Sequence, residues 1–115
     1  MRLAALRSFA LGLPHATVMQ QWGEHLVFKI AGKMFLIIAI DGQVIETLSF
    51  KCSPNDFRQL TELDGIVPAP YLARASWVQV ADLAALSAEK LEACIRASYA
   101  LVRAKLPKKQ QSTLG

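Results

Sequence analysis

Seven consecutive apolar residues, Met34 to Ile40, end at Asp41-Gly42, and beyond that dipeptide Leu48, Phe50 and Cys52 alternate with Thr47, Ser49 and Lys51. This junction constrains the chain more than any other feature. A run apolar at nearly every position fits a strand covered on both faces or buried centrally, whereas alternation fits a strand with one face in a core and the other in water. Asp-Gly between the two is a strong hairpin signal, because a type I′ turn needs positive φ at both central residues. Upstream, Leu26, Phe28 and Ile30 alternate with Val27 and Lys29 and stop at Ala31-Gly32, which gives a third strand. Together these segments predict an antiparallel meander whose apolar face needs a covering layer.

Helical patterns supply that layer. Residues 2–12 place Leu3, Leu6 and Ala10 on one stripe, with Gly12 and Pro14 as the stop. Pro14 to Gly23, containing His15 and Trp22, reads as a loop. Ser53-Pro54-Asn55-Asp56 reads as a helix start: serine accepts from early N–H groups, proline suits the first turn, and aspartate favours the positive end. This helix carries Phe57 and Leu60 inward and stops near Asp64-Gly65. Pro68 and Pro70 keep the next stretch extended, and Trp77, Val78 and Val80 suggest a fourth strand. Ser87 then caps a long helix with Leu91, Cys94, Ile95, Ser98 and Val102 at the 3.6-residue period, ended by Pro107. The order helix, three-strand meander, helix, strand, helix predicts an α+β two-layer sandwich, an antiparallel sheet with the N- and C-terminal helices on one face. At 115 residues there is room for one domain, assigned to 1–107, with 108–115 as a flexible basic and polar tail.

Hydrophobic residues make up 53% of the chain and charged ones 19%, the opposite of a disordered composition. No apolar run approaches the roughly 20 residues that span a bilayer, so no membrane partner is expected. Arg7 splits the apolar N-terminal run, which reads as the first helix and not as a secretory leader. Cys52 and Cys94 are too few for a disulfide framework and sit on apolar faces, which fits a reducing cytoplasm. The net charge of +4 is uneven: from Arg96 onward there are five bases and no acid, while the preceding eight bases face nine acids. Basic character is therefore concentrated at the end of the last long helix and in the tail. Such residues complement a helix C-terminus and also offer an anion-binding surface.

Catalytic signatures are missing. His15 and His25 form no ligand pair, there is no CxxC, and Ser49, Ser76 and Ser98 lack a nucleophile context. The first helix carries Arg2 and Arg7 and no acid, which argues against a surface iron site built from carboxylates. No catalytic residue, metal or cofactor is assigned, and a non-enzymatic monomer is expected. Tyr71, Arg74 and Trp77 stand at intervals of three, an arrangement suited to a nucleic acid, peptide or small ligand if exposed, although Trp77 also fits a core position in the fourth strand.

The runs GEHLVFKIAGKMF (Gly23 to Phe35), LSFKCSP (Leu48 to Pro54), PAPYLARASWV (Pro68 to Val78) and SYALVRAKLPK (Ser98 to Lys108) resemble the bacterial MmcQ/YjbR-like proteins over about residues 3–109. The resemblance implies a fold similar to the bacterial frataxin CyaY and DNA binding through a double-wing motif. Arg74 and Trp77 match the family pattern, whereas Ala73, Ala75 and Ser76 replace its polar neighbours. The expected function is weak, sequence-tolerant DNA binding through Lys29, Lys33, Arg74, Trp77, Arg103, Lys105, Lys108 and Lys109. The alternative is a protein- or small-ligand-binding module using Tyr71, Arg74 and Trp77. Asp41 and Glu46 at the second hairpin oppose phosphate there.

Overall fold

A computed structural model describes residues 2–114, so Met1 of the assigned domain and Gly115 of the assigned tail lie outside the described residues. Helix α1 (Leu3–Leu11) is followed by strands β1 (Ala16–Gln21), β2 (His25–Ile30), β3 (Lys33–Asp41) and β4 (Val44–Lys51). Helix α2 (Pro54–Leu60), strand β5 (Ile66–Pro68) and strand β6 (Trp77–Val80) come next, and then helices α3 (Ala88–Ala104) and α4 (Lys108–Thr113). The strands form one antiparallel sheet in the order β1-β2-β3-β4-β6-β5.

The register sorts side chains as alternation predicts. Leu26 pairs with Ile38 and Ile38 with Leu48, while Phe28 pairs with Leu36 and Leu36 with Phe50, so these side chains share one face. That face meets Leu3, Leu6 and Ala10 of α1 and Leu91, Ile95 and Val102 of α3 in one core. Arg96 stacks its guanidinium 5.2 Å from the Phe9 ring, and the Tyr99 hydroxyl donates to the Pro14 carbonyl at 2.7 Å, joining α3 to α1 and the turn after it. The expected α+β sandwich, with both terminal helices on one face, is the architecture observed. Ser53 and Ser87 cap α2 and α3 by accepting from Asp56 and Lys90 backbone N–H groups, each at 3.1 Å.

Three segments differ from the sequence reading. The loop expected from Pro14 to Gly23 contains β1, an edge strand with only Ala16 and Val18 packed against the core. So little apolar content leaves no periodic signal, and pairing with β2 supplies the order. The extended Pro68 region belongs to β5, a second edge strand, where proline's missing donor is tolerated. The tail is not a free coil, because Pro107 both ends α3 and precedes α4. Gln111 donates from Nε2 to the Leu106 carbonyl at 2.7 Å, and His15 donates from Nε2 to that of Leu114 at 2.8 Å.

The hairpins also differ in detail. Asp41 pairs with Val44, so the turn residues are Gly42 and Gln43, and of these only Gly42 has positive φ, at 62°. Positive φ at the first central position alone is the type II′ requirement, not the type I′ expected at Asp41-Gly42. Two positive values occur one hairpin earlier, at Ala31 and Gly32 (49° and 80°).

At the β2–β3 bulge, Phe28 faces Leu36 and Lys29 faces Met34, leaving Phe35 as the extra residue. Its ring is fully buried and meets the Tyr99 ring edge-on at 5.4 Å. The Phe35 carbonyl accepts from Ser98 Oγ at 2.7 Å, and Ser98 Oγ in turn accepts from the Lys51 N–H at 2.9 Å. Ser98 is itself fully buried, so its hydroxyl completes, from α3, a ladder link that the bulge leaves open between β3 and β4.

Ser98→Ala should therefore leave two buried backbone groups unpaired and destabilise the fold by about 2–4 kcal/mol in denaturant titrations. Phe50→Ala should cost about 3–5 kcal/mol, since the ring lies wholly in the core. A loss under about 1 kcal/mol for either would contradict the packing described.

Candidate anion-binding cleft and adjoining groove

The antiparallel meander gives the sheet two unlike ends. Lys33 begins β3 and Asp41 ends it, about 27 Å apart for a nine-residue strand. At the Asp41 end lie Glu24 in the β1–β2 turn and Glu46 near the start of β4. At the Lys33 end lie the end of β4, the start of β6 and the C-terminus of α3. The β2–β3 and β3–β4 hairpins consequently turn at opposite ends, and only the first lies at the Lys33 end.

The Lys33 end contains a cleft of about 390 Å³ lined by Lys33, Lys51 and Lys105, with Met34, Trp77 and Pro107 among the apolar walls. No carboxylate lines it. Lys51 donates from Nζ to the Ala75 carbonyl. Burial, and then the Lys105 charge beside it, hold the Lys51 ammonium below the usual lysine range. Two like charges brought near each other repel, and an anion placed between them would be attracted by both.

Of the sequence-predicted residues, Lys33, Trp77 and Lys105 meet in this cleft. Lys29 pairs with Met34 at its margin, and Lys108 and Lys109 follow its Pro107 wall at the start of α4. Arg74 is exposed in the 3-10 turn Ala73–Ala75, next to the carbonyl that Lys51 holds. Arg103, two positions before Lys105, points about 200° around α3 from it and lines no part of the cleft. Trp77 is 5% exposed, so it forms a wall and offers no face for base stacking. Lys51 is the residue the sequence reading missed. Its alternation with Ser49 and Thr47 marked it as facing away from the core, but nothing local showed that α3 ends beside it.

A second concavity, about 530 Å³, occupies the sheet face opposite the helices. Its floor is formed by Ile37, Ala39 and Ser49, with Gln79 at one side and Trp22 and Tyr71 among its walls. Met34 lines both this groove and the cleft. The surface proposed for Tyr71, Arg74 and Trp77 is thus divided: Tyr71 lines the groove, Trp77 lines the cleft, and Arg74 lines neither. Trp22 is 61% exposed and Tyr71 fully so, and both have positive φ (50° and 66°), unusual for bulky residues. His25 fixes Trp22 by donating from Nδ1 to its carbonyl at 3.1 Å, with the two rings edge-on at 6.2 Å.

Elsewhere, Cys52 and Cys94 line a cleft between α2 and α3. Burial, followed by the charge of Asp56, pushes the Cys52 thiol up to about 11, and burial raises Cys94 as well. Both remain protonated at neutral pH, consistent with inert packing. Among the described residues, no three His, Cys, Asp or Glu side chains are grouped as they would be around a metal ion. None of the described helices is long and apolar enough to cross a membrane.

The class so defined is a two-layer α+β domain with one sheet face closed by helices and the other open. The chain belongs to the YjbR family, whose family model, described as YjbR, matches residues 11–101. Lys105, Lys108 and Lys109 lie beyond that match. The structure is similar to Deinococcus radiodurans protein DR2400, described as a DUF419 domain, with a TM-score of 0.86 and 30% identity over 98% of this chain and 87% of that one. A protein from Pseudomonas syringae shares the fold, with a TM-score of 0.70 and 20% identity over 89% of this chain and 99% of that one. Among curated proteins none matches the chain.

Replacing Lys105 with methionine should raise the Lys51 pKa toward its ordinary value, read from the Lys51 side-chain NMR resonances during an alkaline titration. The sign for stability follows. With its native pKa below the unfolded one, Lys51 makes the unfolded state bind more protons in that window, so its contribution to stability rises with pH there. The variant should show a smaller rise, and an unchanged Lys51 titration would contradict the pairing of the two ammonium groups.

Proposed function

We propose that this protein is a non-enzymatic, cytoplasmic monomer that binds DNA weakly and with little sequence preference through the lysine end of its sheet. The observation that carries this reading is the convergence of Lys33, Lys51 and Lys105 on one cleft without a carboxylate. Phosphate contacts of this kind position a strand but carry no sequence information. Lys29, Arg74, Lys108 and Lys109 border the same end and extend the surface, while Glu24, Asp41 and Glu46 at the other end repel phosphate and favour one orientation. A small number of contacts implies modest affinity with strong salt dependence, since each neutralised phosphate adds about 0.9 to the slope of log K against log salt on duplex DNA.

A second reading, a small-ligand-binding module, has the 530 Å³ groove in its favour, a volume typical of small-molecule sites. A thermal-shift screen with planar heteroaromatic compounds tests it, and a stabilisation that Tyr71→Ala abolishes would support it.

For the leading reading, a mixed-sequence duplex and a single strand should be titrated from about 20 to 200 mM salt. Binding should weaken steeply with salt, and the triple variant Lys33→Ala, Lys51→Ala, Lys105→Ala should reduce the slope by up to about 3. Failure of both nucleic acids to bind at the lowest salt would reject the function. An unchanged slope in the triple variant would reject the surface.

A further inference from the structure

The lysine cleft and the groove are neighbours that share Met34 in their walls, and strand β4 contributes residues to both. On its open face Lys51, Ser49 and Thr47 follow at steps of two residues, about 6.8 Å each. The first belongs to the cleft and the other two to the groove. Cationic groups thus stand one step from an apolar slot with hydroxyl and amide groups in it and exposed aromatic rings at its walls. We infer that the groove receives an unpaired nucleobase from a single strand whose phosphates lie on Lys33, Lys51 and Lys105. This deepens the DNA-binding reading and rests on it.

Charge decides which part of the ligand goes where. The lysines hold the phosphates, whereas Glu24, Asp41 and Glu46 at the far end disfavour a further anionic group there. A base is neutral, planar and largely apolar on its faces. Ile37 and Ala39 offer it an apolar floor, and Tyr71 and Trp22 offer aromatic faces of the kind on which bases stack irrespective of sequence. Ser49 and Gln79 can bond to its polar edge. Trp22 and Tyr71 are held outward by left-handed backbone conformations, strain of a kind that gathers at binding sites. A paired base in a duplex is already stacked and cannot enter without flipping, so an unpaired strand is the preferred ligand.

The test compares three probes of equal length at about 20 mM salt: oligothymidylate, the same backbone with abasic sites, and a mixed-sequence duplex. Oligothymidylate should bind tightest and quench the fluorescence of Trp22, a signal lost in Trp22→Phe. Tyr71→Ala should weaken oligothymidylate binding about 5- to 100-fold, leave the abasic strand unaffected and leave the salt slope unchanged. Equal affinity for the thymidylate and abasic strands, or a Tyr71→Ala loss shared by both, would overturn the groove assignment. Lysine-dependent binding of the duplex would leave the DNA reading standing in that case. No binding of any probe would overturn both.

Discussion

The hydroxyl of Ser98 links the helical layer to the middle of the sheet. The β2–β3 bulge turns Phe35 inward, where its ring fills the space between Phe28 and Tyr99. That move removes the Phe35 carbonyl from direct pairing with β4. Ser98 restores the connection by donating to this carbonyl and accepting from Lys51. A carbonyl and an N–H left unpaired between the two central strands would each carry a desolvation cost of about 1–3 kcal/mol, so the bulge and the serine depend on each other. Alanine could pack in that space but could not replace either bond.

The same bond sets the electrostatics of the surface. Seven residues beyond Ser98, two helical turns and about 10.5 Å along the axis, α3 delivers Lys105 on nearly the same face. Lys51 is the residue whose N–H Ser98 holds, so its side chain starts from a fixed point on the opposite sheet face near that helix end. Lys33 reaches the cleft from the β2–β3 hairpin, whose geometry the bulge also controls. A packing device inside the core thereby determines that three lysines from two strands and one helix meet. The Lys105 charge disfavours the ammonium form of Lys51, a like-charge contact of the sort that trades stability for a binding surface.

What could be read from the sequence was local. The Ala31-Gly32 turn, a hairpin near Asp41-Gly42 though not its placement at Gly42-Gln43, the serine caps at Ser53 and Ser87, and the alternation of Leu48, Phe50 and Cys52 each follow from interactions within a few residues, and together they sufficed for the α+β sandwich. Strands β1 and β5 depend on neighbours that already exist, and Pro107 permits either a tail or a new helix, so they were not legible. The candidate site was legible in part. Lys33 and Lys105 were named for charge, yet the pairing of Lys105 with Lys51 joins positions 54 residues apart in the chain and depends on how α3 crosses the sheet. The exposure of Tyr71 and the burial of Trp77 were equally undetermined, because the same residue types serve either role.

The open sheet face explains why the groove persists. Val27 is fully buried there and Ile37 partly so, more apolar content than a sheet face presented to water normally carries. The segment after β5 folds across part of it, anchored by Ala69 N–H to the Trp77 carbonyl at 3.0 Å and by Cys52 N–H to that of Ser76 at 2.9 Å. It covers Trp77 but stops short of Ile37 and Ala39. To make this crossing it holds Tyr71 and Ser76 at positive φ, a conformation that costs on the order of 1–3 kcal/mol at each non-glycine residue. Packing of the Tyr71 ring does not offset the cost, because the ring is fully exposed. Apolar floor, strained wall and unspent aromatic surface are accounted for together when a flat, neutral ligand group completes the layer that the protein leaves open.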